Sequence, residues 1–324
     1  MPASNADHFE TDARGIDYVQ RARELAPELA AAADEIERRR ELPEPVVDAL
    51  VERGLYRLLL PRSLGGAELL PARFVPVIEE IAKADASTAW CLNQASGCSM
   101  TAAYLEPAAA CEIFGGLRGI LAWGPGPGSA RIVEGGYRVT ASWSFASGSH
   151  NATWLGCHVP IVEADGTPRL NCDGSPVVRT MLFPKANARM TDIWHVIGLK
   201  GTGSDKFSVE DLFVPQRHTA TRDDETRREQ GLLYRFSSLQ LYAAGFAGWR
   251  WGSPAARLTP SSRWRTTKCH SVRRVPCATT IWSSRRWRRP RRGSLPRTPF
   301  SWDRSRRSPP RSSAPGKSHS TSGW

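Results

Sequence analysis

Residue types suited to holding a ligand lie close together in Trp143-Ser-Phe-Ala-Ser-Gly148. An indole supplies a flat apolar wall, a serine hydroxyl both donates and accepts, and a glycine lets backbone approach closely. From spacing alone the plainer reading prevails, in which Trp143 and Phe145 fill a sheet core and Ser147 is a turn residue. Thr202-Gly203-Ser204 is a second small polar turn, whose backbone donors either face a ligand or merely close the turn. His150 and His195 invite acid–base roles because histidine is the residue type whose charge changes near neutral pH. His150 nevertheless reads as a surface-loop residue and His195, beside Trp194, as packing. Gly124, Gly126 and Gly128 superficially suggest a phosphate loop, but Pro125 and Pro127 remove two backbone donors and no nucleotide fingerprint accompanies them. The cysteines at 91, 98, 111, 157, 172, 269 and 277 form no CxxC pair and no His/Cys cluster with metal-ligand spacing. No metal site is expected, and the thiols read as reduced core or surface groups.

The elements that must position these residues change character along the chain. Ala22, Leu25, Leu29, Ala32 and Ile36 recur at alternating spacings of three and four, which makes one helical stripe with charges on the other face. Arg38-Arg39-Arg40 closes that helix, where cations suit the dipole, and reads as solvated surface. A second helix starts near Pro45 and stops around Gly54; residues 70–84 and 87–104 continue the helical pattern, with Asp85 or Ser87 as the cap of the latter. After Gly115 the period becomes two. Tyr137, Val139, Ala141 and Trp143 alternate behind the turn Glu134-Gly135-Gly136, which predicts a hairpin. Residues 154–162, 178–183 and 207–213 are further strand candidates, and together they suggest a small β-barrel or sandwich. Residues 232–248 turn helical again.

Charge divides the chain sharply. From Gly248 onward 17 Arg and 2 Lys face the single acid Asp303, a local +18, whereas the preceding residues carry 25 bases against 31 acids, or −6. The formal +12 therefore says nothing about the globular part, which is mildly acidic. The start, MPASNADHFETDARG, has no apolar run and nothing approaches a membrane span, so a soluble cytoplasmic protein without membrane contact is expected.

Three stretches, Ala86-Ser-Thr-Ala-Trp90, Trp143 to Gly148 with Trp154, and Gly198-Leu-Lys-Gly-Thr-Gly-Ser204 running into Val209-Glu-Asp-Leu-Phe-Val-Pro215, together resemble the acyl-CoA dehydrogenase superfamily. The likeness covers roughly Ala22 to Gly248. It implies an α+β chain: an N-terminal α-helical domain over residues 1–118, a middle β-domain over 119–222, and the start of a truncated C-terminal helical bundle over 223–248. The dehydrogenases of this superfamily carry a Thr-Glu-Pro loop entering the β-domain. Here the corresponding stretch is Ala122-Trp-Gly-Pro-Gly-Pro127, with no Glu. That loop and Ser147-Gly148 look more like the reduced-flavin monooxygenase branch, which includes the oxygenase components of two-component aromatic hydroxylases.

The resemblance implies a flavin, FAD or FMN, whose isoalloxazine needs a flat wall, partners at N5 and O4, and little bulk where backbone approaches. Trp143, Ser147 and Gly148 would line it, Ser147 near N5, with Trp90 and Trp123 as wall candidates. It further implies a small aromatic substrate, a separate flavin reductase, and a homo-oligomer in an intact relative. The alternative is an acyl-CoA dehydrogenase that oxidises a Cα–Cβ bond with FAD. In both branches the catalytic group comes from the C-terminal half, so no catalytic residue is assigned.

Residues 249–324 contain 7 of the 12 Trp and only six residues drawn from Leu, Ile, Val and Phe, too few to bury a core. Read literally, the segment is a disordered basic tail that would bind nucleic acid through phosphates and stacking, a nonenzymatic function. A frameshift explains the composition more economically. Shifted by one base, residues 249–257 can be re-read as Leu-Ala-Leu-Gly-Ile-Ala-Arg-Gly-Ala and residues 277–287 as Val-Arg-Asp-Asn-His-Leu-Val-Gln-Gln-Ala-Val, both helix-forming. On that reading the chain is a flavoprotein oxidoreductase impaired as encoded.

Overall fold

The helices arise where the apolar stripe and capping residues place them. The computed structural model describes residues 15–221 and 226–253, all within one compact unit. Helix α1 (Tyr18–Arg39) buries Ala22, Leu25, Leu29 and Ile36; the Asp17 carboxylate accepts from the Gln20 N–H at its start. Helix α2 (Glu44–Glu52) begins on prolines and ends before Gly54, and α3 (Pro71–Ala84) follows. Of the two cap candidates for α4 (Ala86–Ser99), Asp85 serves, accepting from the Thr88 N–H at 2.6 Å. Helix α4 is buried on nearly every side, and a 3-10 turn over Met100–Tyr104 extends it before α5 (Pro107–Phe114).

Eight strands follow: β1 (Leu121–Trp123), β2 (Gly128–Val133), β3 (Gly136–Ala146), β4 (Trp154–Val162), β5 (Val178–Pro184), β6 (Arg189–Thr191), β7 (Asp205–Pro215) and β8 (Thr219–Ala220). Among the described residues they form one mixed sheet in the order β6-β7-β3-β2-β4-β5-β8. The β2–β3 hairpin turns through Gly135 at φ +74, as the sequence predicts. Strands β1 and β2 both run parallel to β4, β1 beside residues 154–156 and β2 beside residues 161–162, so β4 joins the two halves of the sheet. The halves face each other. Trp143 on β3 lies 4.9 Å from Phe207 on β7 and 6.2 Å from Phe183 on β5, which is not its sheet neighbour.

Helix α6 (Ser238–Gly252) opens with a capping box between Ser237 and Gln240. It packs on α3 and α4 through Gly245, Gly248 and Gly252, where a Cβ would run into Asn93 and the Val75 and Glu79 carbonyls. The helix runs four residues beyond Gly248, where the helical pattern in the sequence was expected to end. Trp249 holds that extension by donating from Nε1 to the Ala86 carbonyl at 3.0 Å. The expectations for the tail from residue 254 onward lie outside the described residues. No helix among the described residues is long and apolar enough to cross a membrane.

Candidate functional site

The site forms where β3 stops being regular. The register with β7 slips between Trp143 and Ala146, which leaves Phe145 in a bulge at φ +59 with its ring 61% exposed. A left-handed phenylalanine that shows most of its ring to solvent is costly on both counts, and such outliers mark functional surfaces. The chain then turns through Ser147 to Gly148 at φ +75. The Gly148 N–H donates to the Thr202 carbonyl at 2.8 Å, and its Cα side faces Cys91 of α4, where a Cβ would meet the cysteine at 3.5 Å. The partner turn is equally irregular, running from Leu199 at φ +54 through a 3-10 segment Lys200–Thr202 to Gly203 at φ +49.

Helix α4 completes the site by presenting Trp90 and Gln94, one turn apart on one face. These residues, with Phe145, Ser147, Trp194, Leu199, Thr202 and Ser204, enclose a cavity of about 260 Å³. Trp90 backs onto α6, stacked on Phe246 at 5.0 Å and edge-on to Trp249 at 5.1 Å. Phe145 and Trp194 meet edge to face at 6.0 Å. The polar side is a row of hydroxyls. Trp90 Nε1 donates to Ser147 Oγ at 3.0 Å, Ser147 Oγ lies 2.7 Å from Ser204 Oγ, Ser204 Oγ lies 2.7 Å from Thr202 Oγ1, and Thr202 Oγ1 donates to the Leu199 carbonyl at 2.9 Å. Next to the row, burial pushes the Cys91 thiol well above its ordinary pKa, so it is a neutral packing group.

Behind the cavity an ionic clamp ties the helices to the sheet. Asp205 accepts the Ile193 and Trp194 N–H groups on one oxygen at 2.8 and 3.0 Å, and its other oxygen lies 2.7 Å from His150 Nε2. His150 Nδ1 lies 2.8 Å from Glu41 Oε2. Partial burial acts to raise the Glu41 pKa, but Arg39 and His150 together outweigh it and hold the carboxyl below its ordinary value. The expectation of His150 as a plain surface-loop residue thus gives way to a bridge between two carboxylates. Arg40 is also more than solvated surface: it grips both oxygens of Asp192 at 2.7 and 2.6 Å and donates to the Trp194 carbonyl at 3.3 Å, which fixes the loop carrying Trp194.

The five residues predicted for a ligand wall separate. Trp90 and Ser147 line the cavity, and Gly148 stands behind it as the backbone bridge to Thr202. Trp143 is fully buried between the sheet halves, because the alternation of β3 turns it inward. Trp123 packs edge-on to His158 at 4.8 Å, away from the cavity lining. Thr202 and Ser204 contribute hydroxyls; the Thr202 and Gly203 N–H groups are spent inside the turn on the Leu199 and Lys200 carbonyls. Sequence reasoning missed Gln94, Phe145, Trp194 and Leu199. Gln94 was within reach through its spacing from Trp90, whereas Phe145 depends on a bulge that only pairing with β7 creates. The Gly124–Gly128 loop has a packing role, since a Cβ at Gly124 or Gly126 would run into the Ser144 or Ser142 carbonyl.

Residues 17–107 match the acyl-CoA dehydrogenase N-terminal domain. The chain is 33% identical over 201 residues to the flavin-dependent monooxygenase oxygenase subunit HsaA of Rhodococcus jostii (strain RHA1), covering 61% of this chain and 50% of that one. It is 33% identical over 212 residues to indole-3-acetate monooxygenase of Pseudomonas putida, covering 64% and 52%. Among solved structures, 3-HSA hydroxylase from Rhodococcus sp. RHA1 superposes with a TM-score of 0.65 at 28% identity, over 73% of this chain and 64% of that one. XiaF from Streptomyces sp., in complex with FADH2 and glycerol, gives 0.64 at 28%, over 72% and 60%. The chain spans about half the length of the curated relatives it matches. It carries an acyl-CoA dehydrogenase N-terminal domain and is a homologue of the oxygenase subunits of flavin-dependent monooxygenases.

Proposed function

We propose that this chain is the oxygenase component of a flavin-dependent monooxygenase that acts on a small aromatic substrate with reduced FAD or FMN delivered by a separate flavin reductase. The observation that carries this reading is the cavity itself: aromatic walls from α4, the β3 bulge and the Trp194 loop, with hydroxyls along one side. The residues fit a flavin. Trp90, Phe145 and Trp194 offer flat apolar surface, and Ser147, Ser204 and Thr202 offer hydrogen-bonding oxygens where a heteroaromatic edge would lie. The names of the relatives agree, including an FADH(2)-dependent resorcinol hydroxylase, oxygenase component, from Rhizobium at 30% identity. A reduced flavin held there would supply the two electrons by which one atom of dioxygen enters the aromatic ring and the other leaves as water. The chain's own residues position the ring by the hydroxyl row and exclude water by the aromatic walls. The dehydrogenase alternative gains no support from Ala122–Pro127, which lacks a carboxylate.

Anaerobic equilibrium dialysis of the full chain against FAD and FMN, each oxidised and reduced, tests the reading. Saturable binding of a reduced flavin, followed by oxygen-dependent hydroxylation of a phenol or indole when a reductase is added, is the expected outcome. Absence of binding in both redox states would remove the proposal.

A further inference from the structure

The lining of the Ser147 cavity is polar without being charged. Among the described residues it consists of three rings, the Leu199 side chain, three hydroxyls and one amide, that of Gln94. The hydroxyls are bonded to one another, to Trp90 and to the Leu199 carbonyl. Gln94, half-buried on α4, makes no hydrogen bond to the described residues, so its N–H donors and its carbonyl are left for a ligand. The charged side chains beside the lining are already engaged. Arg40 holds both oxygens of Asp192, and Asp205 takes His150 and the Ile193 and Trp194 N–H groups.

We propose that the substrate is an uncharged aromatic with a hydrogen-bonding group, a phenol or an indole, that Gln94 is the residue that reads this group, and that aryl carboxylates are excluded. The inference rests on the flavin reading above, in which the hydroxyl row serves the cofactor and α4 is left to the substrate. A carboxylate entering this lining exchanges its hydration for rings and neutral dipoles, with no cation among the lining residues to meet it. A neutral group of the same shape loses far less. The Gln94 amide suits such a group because it can accept from a phenol O–H or an indole N–H and can donate in return. One helical turn from Trp90, it sets that contact beside an indole that lines the same cavity.

The test is anaerobic equilibrium dialysis of the full chain, loaded with reduced FAD or FMN, against ligands paired by shape: indole-3-acetamide with indole-3-acetate, and phenol with toluene. Wild type should bind the acetamide about tenfold tighter than the acetate, or more, since the two differ in charge and scarcely in size. Gln94→Lys supplies the missing cation and should reverse that order. Gln94→Met keeps the length of the side chain and removes the amide, so the phenol-to-toluene affinity ratio should fall about fivefold, the effect of one neutral hydrogen bond. General damage to the fold would weaken both members of a pair and leave each ratio where it was. Acetate bound as tightly as acetamide by the flavin-loaded wild type, or none of the four ligands bound, overturns the inference and leaves the flavin reading intact. So does an acetamide preference unchanged in Gln94→Lys or a phenol-to-toluene ratio unchanged in Gln94→Met. Failure of wild type to bind FAD and FMN in both redox states overturns both readings.

Discussion

Trp143 and Ser147 are four residues apart on one strand and belong to opposite kinds of structure. Around Trp143 the chain is largely regular, paired with Phe207 of β7, turned inward by strand alternation and packed against rings from two other strands, although its own indole N–H is buried without a hydrogen-bond partner among the described residues. Around Ser147 it breaks several local rules at once, with a bulge, an exposed phenylalanine, four positive-φ residues and a row of buried hydroxyls. The first region explains why the sheet folds. The second has no such purpose, and its cost is bearable only because the first over-determines the backbone on either side. The residue type most suggestive of a ligand wall, tryptophan, is therefore a poor guide by itself; whether its strand is still regular decides what it does.

The comparison can be broken from the regular side first. Trp143→Ala empties a fully buried site and should cost about 3–5 kcal/mol in urea unfolding; a cost under 1 kcal/mol would show that the interior is not the stabilising region. Gly126→Ala drives a methyl into the Ser142 carbonyl and should cost about 1–3 kcal/mol, measured the same way, because backbone cannot step aside as a side chain can. On the irregular side the sign reverses. Phe145→Asn should raise stability by up to about 1 kcal/mol, since asparagine tolerates the left-handed region and the exposed ring buries little, while flavin binding weakens. Loss of both stability and binding would instead make Phe145 an ordinary packing residue.

The smallest effect concerns pH. Glu41 is held below its ordinary pKa by Arg39 and His150, so its contribution is present above the usual carboxylate range and is lost as pH falls through its lowered folded value. Being partly exposed, it should contribute well under 1 kcal/mol. The stability difference between wild type and Glu41→Gln should shrink as pH falls below about 4; a difference that grows toward acid would reverse the assignment.

Much of the regular architecture is legible in the sequence because its causes are local. The stripe from Ala22 to Ile36, Asp85 before α4 and the glycines before β3 each act within a turn or two of themselves. Trp90 and Ser147 are legible as cavity residues through the resemblance. What escapes depends on partners distant in sequence: the bulge at Phe145 needs β7, the clamp needs Glu41 and Asp205 on either side of His150, and the inward face of Trp143 needs Phe183. Helix α6 runs past Gly248 because Trp249 finds a carbonyl at Ala86, which no helical period announces.

The central claim is that the cavity at Ser147 holds a flavin. Anaerobic titration of the full chain and its Ser147→Ala variant with reduced FAD and FMN, with urea unfolding run in parallel, tests it most directly. Losing one neutral hydrogen bond should weaken reduced-flavin binding about fivefold, while unfolding reports a separate cost of about 1–3 kcal/mol from the Trp90 and Ser204 groups left without their Ser147 partner and the variant remains folded. Equal affinity in the two proteins, or no binding by either, would contradict it.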